Sequence, residues 1–475
     1  MGFDPDQVCV DLHQSRTNRL PIKWGGMRTS IFRGIGRDCL IAFLLTLLPL
    51  LAFVRADTRP GATEKELQWW RDAKFGLFIH WGPVSLKGTE IGWSRGAQVP
   101  VEEYDGLFRR FNPAQFDATA WSRTAKAAGM KYVVLTSKHH DGFCLWDTQF
   151  TDYNIMRTPW GRDVMKELAA ACRKQRLVFG IYHSICDWHH PDYPLGSPGG
   201  KSPKPAPNMD RYNQYLKNQL AELLRNYQPL GILWFDGEWE TPWTAERGLD
   251  LYQYVRAFQP GILINNRVGK GRAGMEGSTA AGDFAGDFDT PEQGIGKFRN
   301  DRPWESCITI GQQWSWKPND KLKSLKECID MLVRTVGGDG NLLLNVGPMP
   351  NGEIEKRQAE RLQQIGGWLK ENGKSIYATR GGPFLPGEWG ASTHRGKTIY
   401  VHLLKENEDE RIRLPGLETK VVRARILNGP RLAWQQSSGS IEVQLPRRLR
   451  RENDTILVLS LDGPAEDLAP RPVGW

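Results

Sequence analysis

The strongest constraint on the fold is a repeat of continuous apolar runs alternating with amphipathic stretches between residues 75 and 346. The runs are Phe75–His80, Lys131–His139, Leu177–Ser184, Leu230–Asp236, Gly261–Asn266, Gly282–Phe288, Cys307–Gly311 and Asn341–Val346. Helical patterns separate many of them, at Gln115–Ala128, Arg162–Lys174, Met209–Asn226, Thr244–Phe258 and Leu322–Val336, and another follows at Glu355–Asn372. Strands that are apolar on both faces and separated by helices predict a parallel sheet covered on both sides. Eight such units predict an α/β fold of the TIM type, a closed (β/α)₈ barrel. The sixth strand has the weakest pattern, because residues 268–300 are rich in Gly and Asp.

Beyond Pro383 the pattern changes. Thr398–Leu404, Val421–Leu427, Ile441–Leu445 and Thr455–Leu461 are short alternating segments split by Gly, Pro and Asn, which predicts a C-terminal antiparallel β-sandwich over residues 384–475. Residues 57–383 are then the barrel. Ahead of them, Leu40–Val54 is almost purely apolar, is preceded by Arg33 and Arg37 and is followed by Val54-Arg55-Ala56. This reads as a signal peptide, residues 1–56, cleaved after Ala56, with Met27 an alternative start. Exported material follows from that reading, in a periplasmic, extracellular or lysosome-like compartment, with no stable membrane insertion of the mature chain. Removing the leader takes away seven Lys/Arg and four Asp/Glu, so the net charge falls from +9 to +6. So small an excess gives no reason to invoke nucleic acid. Five cysteines remain, an odd number with no CxxC spacing, which argues against both a zinc site and a full disulfide framework.

Polar residues gather where a barrel places its chemistry, at the C-terminal ends of the strands. The first five runs end in His80-Trp81, His139-His140-Asp141, Tyr182-His183-Ser184, Trp234-Phe235-Asp236-Gly237 and Asn265-Asn266-Arg267. Adjacent histidines on a strand point to opposite faces, so His139 and His140 would need a bend to share one ion. There is no HxH or HExxH spacing, no GxSxG elbow and no Gly-rich fingerprint after the first strand. We therefore expect no metal and no cofactor. Paired carboxylates fit better. Asp236 ends an apolar strand beside a glycine, and Glu238, Glu240 or Glu292 can supply a second carboxyl. Two carboxylates among tryptophans and histidines point to glycoside hydrolysis, and the 19 tryptophans provide flat apolar faces for a sugar.

Four motifs carry a resemblance. Phe78-Ile79-His80-Trp81-Gly82, Lys138-His139-His140-Asp141-Gly142-Phe143, Trp234-Phe235-Asp236-Gly237 and Asn341-Leu342-Leu343-Leu344-Asn345-Val346-Gly347-Pro348 resemble the α-L-fucosidases of glycoside hydrolase family 29, over about residues 64 to 384. The resemblance implies a retaining exo-hydrolase that removes terminal α-L-fucose from oligosaccharides or glycoconjugates. It implies Asp236 as nucleophile, and His80, His139, His140, Tyr182 and Arg267 as sugar contacts, with His183 a rival to Tyr182. Trp93 is expected to reach the site from the loop after the first strand. Phe78, Trp234 and Trp316 are expected around the 6-methyl group. The acid/base has no fixed motif; Glu292 is chosen over Glu276 and Glu238. A related exo-glycosidase on a galacto-configured sugar, and a fucose-binding protein without proton transfer, are the alternatives. Linkage preference and oligomeric state are not legible.

Overall fold

The structure is a computed structural model and describes residues 61–198, 202–280, 286–405 and 409–474. The expected leader, residues 1–56, lies outside the described residues.

Seven parallel strands form one sheet: β1 (Phe75–Ile79), β2 (Tyr132–Lys138), β3 (Val178–Ser184), β4 (Ile232–Asp236), β5 (Leu263–Ile264), β6 (Glu305–Thr309) and β7 (Asn341–Val346). Their order is β5-β4-β3-β2-β1-β7-β6, the order of a barrel wall in which each strand joins its chain neighbour and β1 joins the last. Most of the expected run Gly282–Phe288 falls on residues 281–285, outside the described residues. From Phe288 the chain occupies the gap between β5 and β6 through single parallel bridges: Phe288 with Asn265, Asp289 with Trp304, and Glu292 with Cys307. A regular ladder is not formed there. Pro291 has no N–H to give, and Gln293 has a left-handed φ of 52°.

Helices cover the sheet: α1 (Glu64–Ala73), α2 (Val101–Gly106), α3 (Ala118–Ala127), α4 (Val164–Gln175), α5 (Met209–Asn226), α6 (Ala245–Phe258), α7 (Leu325–Gly337) and α8 (Lys356–Asn372). Most begin at a side-chain cap; Thr63 and Ser324 each form a reciprocal box with a glutamate three residues on. Alternation along the strands divides the core in two. Leu77, Ile79, Leu135, Leu233 and Leu344 face the helices. Phe78, Tyr132, Val134, Tyr182, Trp234 and Leu343 face inward and fill the barrel. Inside the barrel lies Glu305, fully buried, accepting hydrogen bonds from Tyr132 Oη and, at 3.3 Å, from Trp70 Nε1.

At Arg380 the pairing turns antiparallel. A five-stranded sheet (β12-β15-β10-β9-β8) uses β8 (Arg380–Gly381), β9 (Gly390–Arg395), β10 (Thr398–Leu403), β12 (Val421–Ile426) and β15 (Thr455–Leu461). A three-stranded sheet (β11-β14-β13) uses β11 (Arg411–Pro415), β13 (Trp434–Gln436) and β14 (Ser440–Gln444). Ile399, Val401, Leu457 and Leu459 of one sheet share a core with Ile412, Leu414, Ile441 and Val443 of the other, as in a sandwich. The other face of the larger sheet packs against Trp368 of α8 through Val458 and Ile456. Cys144, Cys172, Cys186, Cys307 and Cys328 are all free and buried.

Candidate active site

The site is assembled at the C-terminal ends of the barrel strands around a cavity of about 270 Å³. Asp236 is the last residue of β4, two positions beyond Trp234, so both face inward. Its Oδ1 accepts from Arg267 Nη1 at 2.7 Å and its Oδ2 from Tyr182 Oη at 2.9 Å. Burial alone would raise the Asp236 pKa. The adjacent Arg267 charge, with smaller help from His140, outweighs burial and holds it below the usual carboxylate value. Gly237 follows with φ 102°, and a Cβ there would come within 2.8 Å of Cys186 Sγ. Only glycine lets the chain leave the strand on that path.

Three histidines follow β1 and β2. His80 follows β1 on the same face as Phe78, and its Nδ1 is 2.7 Å from Asn345 Oδ1. Asn345 Nδ2 donates to Trp314 O at 2.7 Å, so Oδ1 is the acceptor and His80 Nδ1 the donor. His80 Nε2 is therefore left to accept. Burial pushes the His80 pKa down to about 3, so the ring is neutral. His139 and His140 both turn toward the site, their rings 4.1 Å apart. This is possible because β2 slips register after Thr136 and ends at Lys138, so strand alternation no longer applies to the pair. His139 stacks on Tyr182 at 5.3 Å. His140 sits deeper, with Nε2 3.6 Å from Asp236. The corner is fixed by α2: Tyr104 Oη donates to Asp141 at 2.6 Å and accepts from Gly92 N at 2.9 Å. Gly92, at φ 68°, leaves room for His139 Nδ1.

The far wall comes from the irregular chain between β5 and β6. Arg267, fully buried, is anchored by Nε to Thr290 Oγ1 at 3.0 Å. Its Nη2 donates to Glu292 Oε2 at 2.8 Å while Nη1 holds Asp236. One guanidinium thus carries both carboxylates, with the Trp234 ring 4.5 Å beneath it. Asn266 braces the segment: Nδ2 donates to Gly277 O and Thr279 Oγ1, and Oδ1 accepts from Thr290.

Most expected site residues meet here. Phe78, His80, Trp93, His139, Tyr182, Trp234, Asp236, Arg267 and Glu292 all line the cavity. His183 does not; it turns outward to Ser137 and Trp146, so the tyrosine faces the site. Trp316 requires a correction. Its indole donates to Glu355 at 3.3 Å, away from the cavity, and Trp314 lines the cavity instead. The cause is Glu90, whose carboxylate accepts from the backbone of Trp314 and Ser315 and so fixes which residue of the turn points inward. Glu276 is exposed and paired with Lys297. Glu238 is buried against Arg272 at 2.5 Å and does not line the cavity. Trp239, Arg272, Met275 and Cys307 also line it and were not foreseen, although Trp239 lies only two residues past Gly237. His189 and His190 stack on Tyr153 and Tyr215, outside the cavity.

Several known proteins share this sequence pattern and architecture. A sequence model of the α-L-fucosidase family matches residues 55–374. The tissue α-L-fucosidase of Rattus norvegicus is 30% identical over 364 residues, covering 72% of this chain and 74% of that one. The plasma α-L-fucosidase of Homo sapiens is 31% identical over 369 residues, covering 71% and 76%. Among solved structures, α-L-fucosidase isoenzyme 1 from Paenibacillus thiaminolyticus is 36% identical with a TM-score of 0.75, covering 84% of this chain and 99% of that one. A family 29 α-L-fucosidase from Bacteroides thetaiotaomicron, trapped as a covalent intermediate with 2-fluoro-fucosyl fluoride in a Glu-to-Gln mutant, is 28% identical with a TM-score of 0.76, covering 85% and 99%.

Proposed function

The chain belongs to the α-L-fucosidase family, glycoside hydrolase family 29, and we propose that its cavity performs that family's reaction with Asp236 as nucleophile and Glu292 as acid/base. The enzyme is a retaining exo-acting α-L-fucosidase that hydrolyses terminal α-L-fucose by double displacement through a covalent fucosyl-enzyme intermediate. The observation that carries the two assignments is the shared guanidinium: Arg267 holds Asp236 at 2.7 Å and Glu292 at 2.8 Å. Two carboxyls on one guanidinium are close enough for the roughly 5–5.5 Å spacing of a retaining pair. The trapped Bacteroides intermediate, obtained by changing a glutamate to glutamine, supports a glutamate in the second role.

In the first step Asp236 attacks the anomeric carbon from the face opposite the leaving oxygen, and Glu292 gives that oxygen its proton. Arg267 and Tyr182 keep the attacking carboxylate charged and aimed. In the second step Glu292 takes a proton from water, which attacks the same carbon and releases α-L-fucose with its configuration retained. Neutral His80 accepts a sugar hydroxyl at Nε2, and His139 and His140 complete the polar side. Phe78, Trp234 and Trp314 form the apolar side for the methyl group, Trp314 taking the place expected of Trp316.

The substrate is a fucosylated glycan. We also assign residues 57–383 to the catalytic domain, 384–475 to the sandwich, whose larger sheet takes in β8 (Arg380–Gly381) just ahead of that boundary, and 1–56 to a cleaved export leader. No described helix is long and apolar enough to cross a membrane. Proton NMR during hydrolysis of an aryl α-L-fucoside tests the reaction: α-fucose should appear first, and initial β-fucose would contradict retention. Secreted material should begin near Asp57 on N-terminal sequencing.

A further inference from the structure

We propose that Ser184 is a positioning residue for the nucleophile: its hydroxyl fixes His140 in the tautomer whose bare Nε2 faces Asp236, which keeps the attacking carboxylate free of a third hydrogen bond. This rests on the fucosidase reading and adds a residue to it. Ser184 ends β3 two positions beyond Tyr182, so both face inward. It pairs in register with Asp236 across the β3–β4 ladder and is fully buried.

The proton on His140 can be placed from the neighbours of Nδ1. A serine hydroxyl has one hydrogen to give and lone pairs with which to accept. Ser184 Oγ lies 2.6 Å from Cys186 O, a carbonyl that can only accept, so the hydrogen points there. Oγ also lies 2.7 Å from His140 Nδ1. With its hydrogen committed, Oγ accepts from an Nδ1–H; a bare Nδ1 would set two lone pairs against each other at that distance. Protonated, His140 would add its charge to that of Arg267 beside Asp236. Burial pushes its pKa down to about 4, so near neutral pH the ring carries one proton, and Ser184 places that proton on Nδ1.

Nε2 is then an acceptor set against an acceptor. It lies 3.6 Å from Asp236 Oδ2, is buried, and has no hydrogen-bond partner among the described residues. A buried polar atom left unpaired is costly and calls for a reason. Here the reason is the carboxylate. Tyr182 already donates to Oδ2 and Arg267 to Oδ1. A third donor would draw charge from the group that attacks in the first step, and would stabilise the same group as it leaves in the second. The other tautomer has support ready: Cys186 Sγ is 3.1 Å from Nδ1 and can donate to it when Nδ1 is bare. Nε2–H would then need only a small movement to reach Oδ2. A thiol is a weak donor and Ser184 Oγ the nearer, stronger acceptor, so the serine decides between the two forms.

The test separates the two steps with 2-fluoro-fucosyl fluoride on the full-length protein. The second-order rate constant of inactivation reads attack by Asp236. The rate at which labelled enzyme, freed of excess reagent, regains activity reads departure of Asp236. Ser184→Ala should slow inactivation about tenfold, the worth of a hydrogen bond to a charged group, and should leave reactivation as fast as in wild type or faster. Ser137→Ala removes the partner of His183, which faces away from the site, and should show no such split. Nitrogen-15 NMR of the histidine side chains, with His140→Gln to assign the ring, should show a protonated Nδ1 and a bare Nε2 in wild type, and a shift toward Nε2–H in Ser184→Ala. Equal slowing of both steps, no slowing of inactivation, the same split in Ser137→Ala, or a wild-type ring protonated at Nε2 would overturn the proposal. Failure of the reagent to inactivate wild type at all would instead overturn the fucosidase reading.

Discussion

The two halves of the catalytic cavity are built by different means. From β1 to β4 the chemistry sits on parallel strands whose ladders continue up to the residues concerned; Tyr182 pairs with Trp234, and Ser184 with Asp236. From β5 to β6 the same function is carried by chain with only isolated bridges, held by side chains such as Asn266, Thr290 and Arg267. On the regular half, position along the strand dictates what a side chain faces. On the irregular half, a network of buried hydrogen bonds has to do it, and each member matters more because no ladder stands behind it. The nucleophile lies on the first kind of scaffold and the acid/base on the second.

The largest effect should come from the regular half. Asp236→Gly should lower turnover by on the order of 10⁴ or more, as removal of a covalent nucleophile does. Azide should then restore part of the rate by entering the vacated space, giving β-fucosyl azide, which product NMR identifies. Wild-type turnover in this variant would move the nucleophile elsewhere.

Glu292→Ala probes the other half. Fucosides with poor leaving groups should lose about 10²–10⁴ in rate, the ordinary worth of a positioned general acid. Activated aryl fucosides should lose far less from the first step, and azide should now give the α-product by attacking the covalent intermediate. A variant that matches wild type on a natural oligosaccharide would remove Glu292 from the role, and the buried Glu238 would be tested next.

How much of this was legible follows the same division. Strand ends on the regular half are legible because burial on both faces gives a continuous apolar run whose last residues are polar. His80, Tyr182, Trp234 and Asp236 were found in that way. The bend that brings His139 and His140 together depends on a register slip after Thr136, which no local pattern marks. On the irregular half periodicity carries no signal. Motif and distance along the chain single out Arg267 and Glu292, whereas nothing in the sequence marks the Thr290 and Asn266 bracing. Trp314 and Trp316 illustrate the reason: they are chemically equivalent in the sequence, and Glu90, more than 200 residues away, decides which one faces the sugar. In the C-terminal domain β9, β11 and β13 were missed. β11 alternates, but over only five residues and into a proline, β13 is three residues long with a single apolar side chain, and β9 is short of large apolar residues.

A pair of stability measurements sharpens the contrast between the halves. Thr290→Val removes the hydroxyl between Arg267 Nε and Asn266 Oδ1, leaving two buried polar groups unpaired, and should cost about 1–3 kcal/mol in urea unfolding. Ser137→Ala, which removes a hydroxyl that donates to Tyr182 O at 2.8 Å and lies 2.9 Å from His183 Nδ1 on the regular half, unpairs as many groups and should still cost less, because the strand ladder remains. The reverse order would erase the proposed difference between the two scaffolds.

A further effect concerns pH. Burial raises the Glu305 carboxyl from 4.5 to about 7. Between those values the folded chain keeps a proton that the unfolded chain has released, so the stability this group contributes falls as pH rises through the window and levels off above about 7. Glu305→Gln should remove that slope. The stability advantage of wild type over the variant should shrink from pH 5 to pH 7, and a constant difference would show that Glu305 does not hold its proton as described.

The proposed mechanism requires Asp236 to be the residue that bonds to the sugar. Incubation of the wild-type enzyme with 2-fluoro-fucosyl fluoride, followed by proteolysis and peptide mass spectrometry, reads this directly. The predicted result is a single fluorofucosyl adduct on the Trp234-Phe235-Asp236-Gly237 peptide, localised to Asp236. An adduct on Glu292 or Glu238, or inactivation with no covalent adduct, would contradict it.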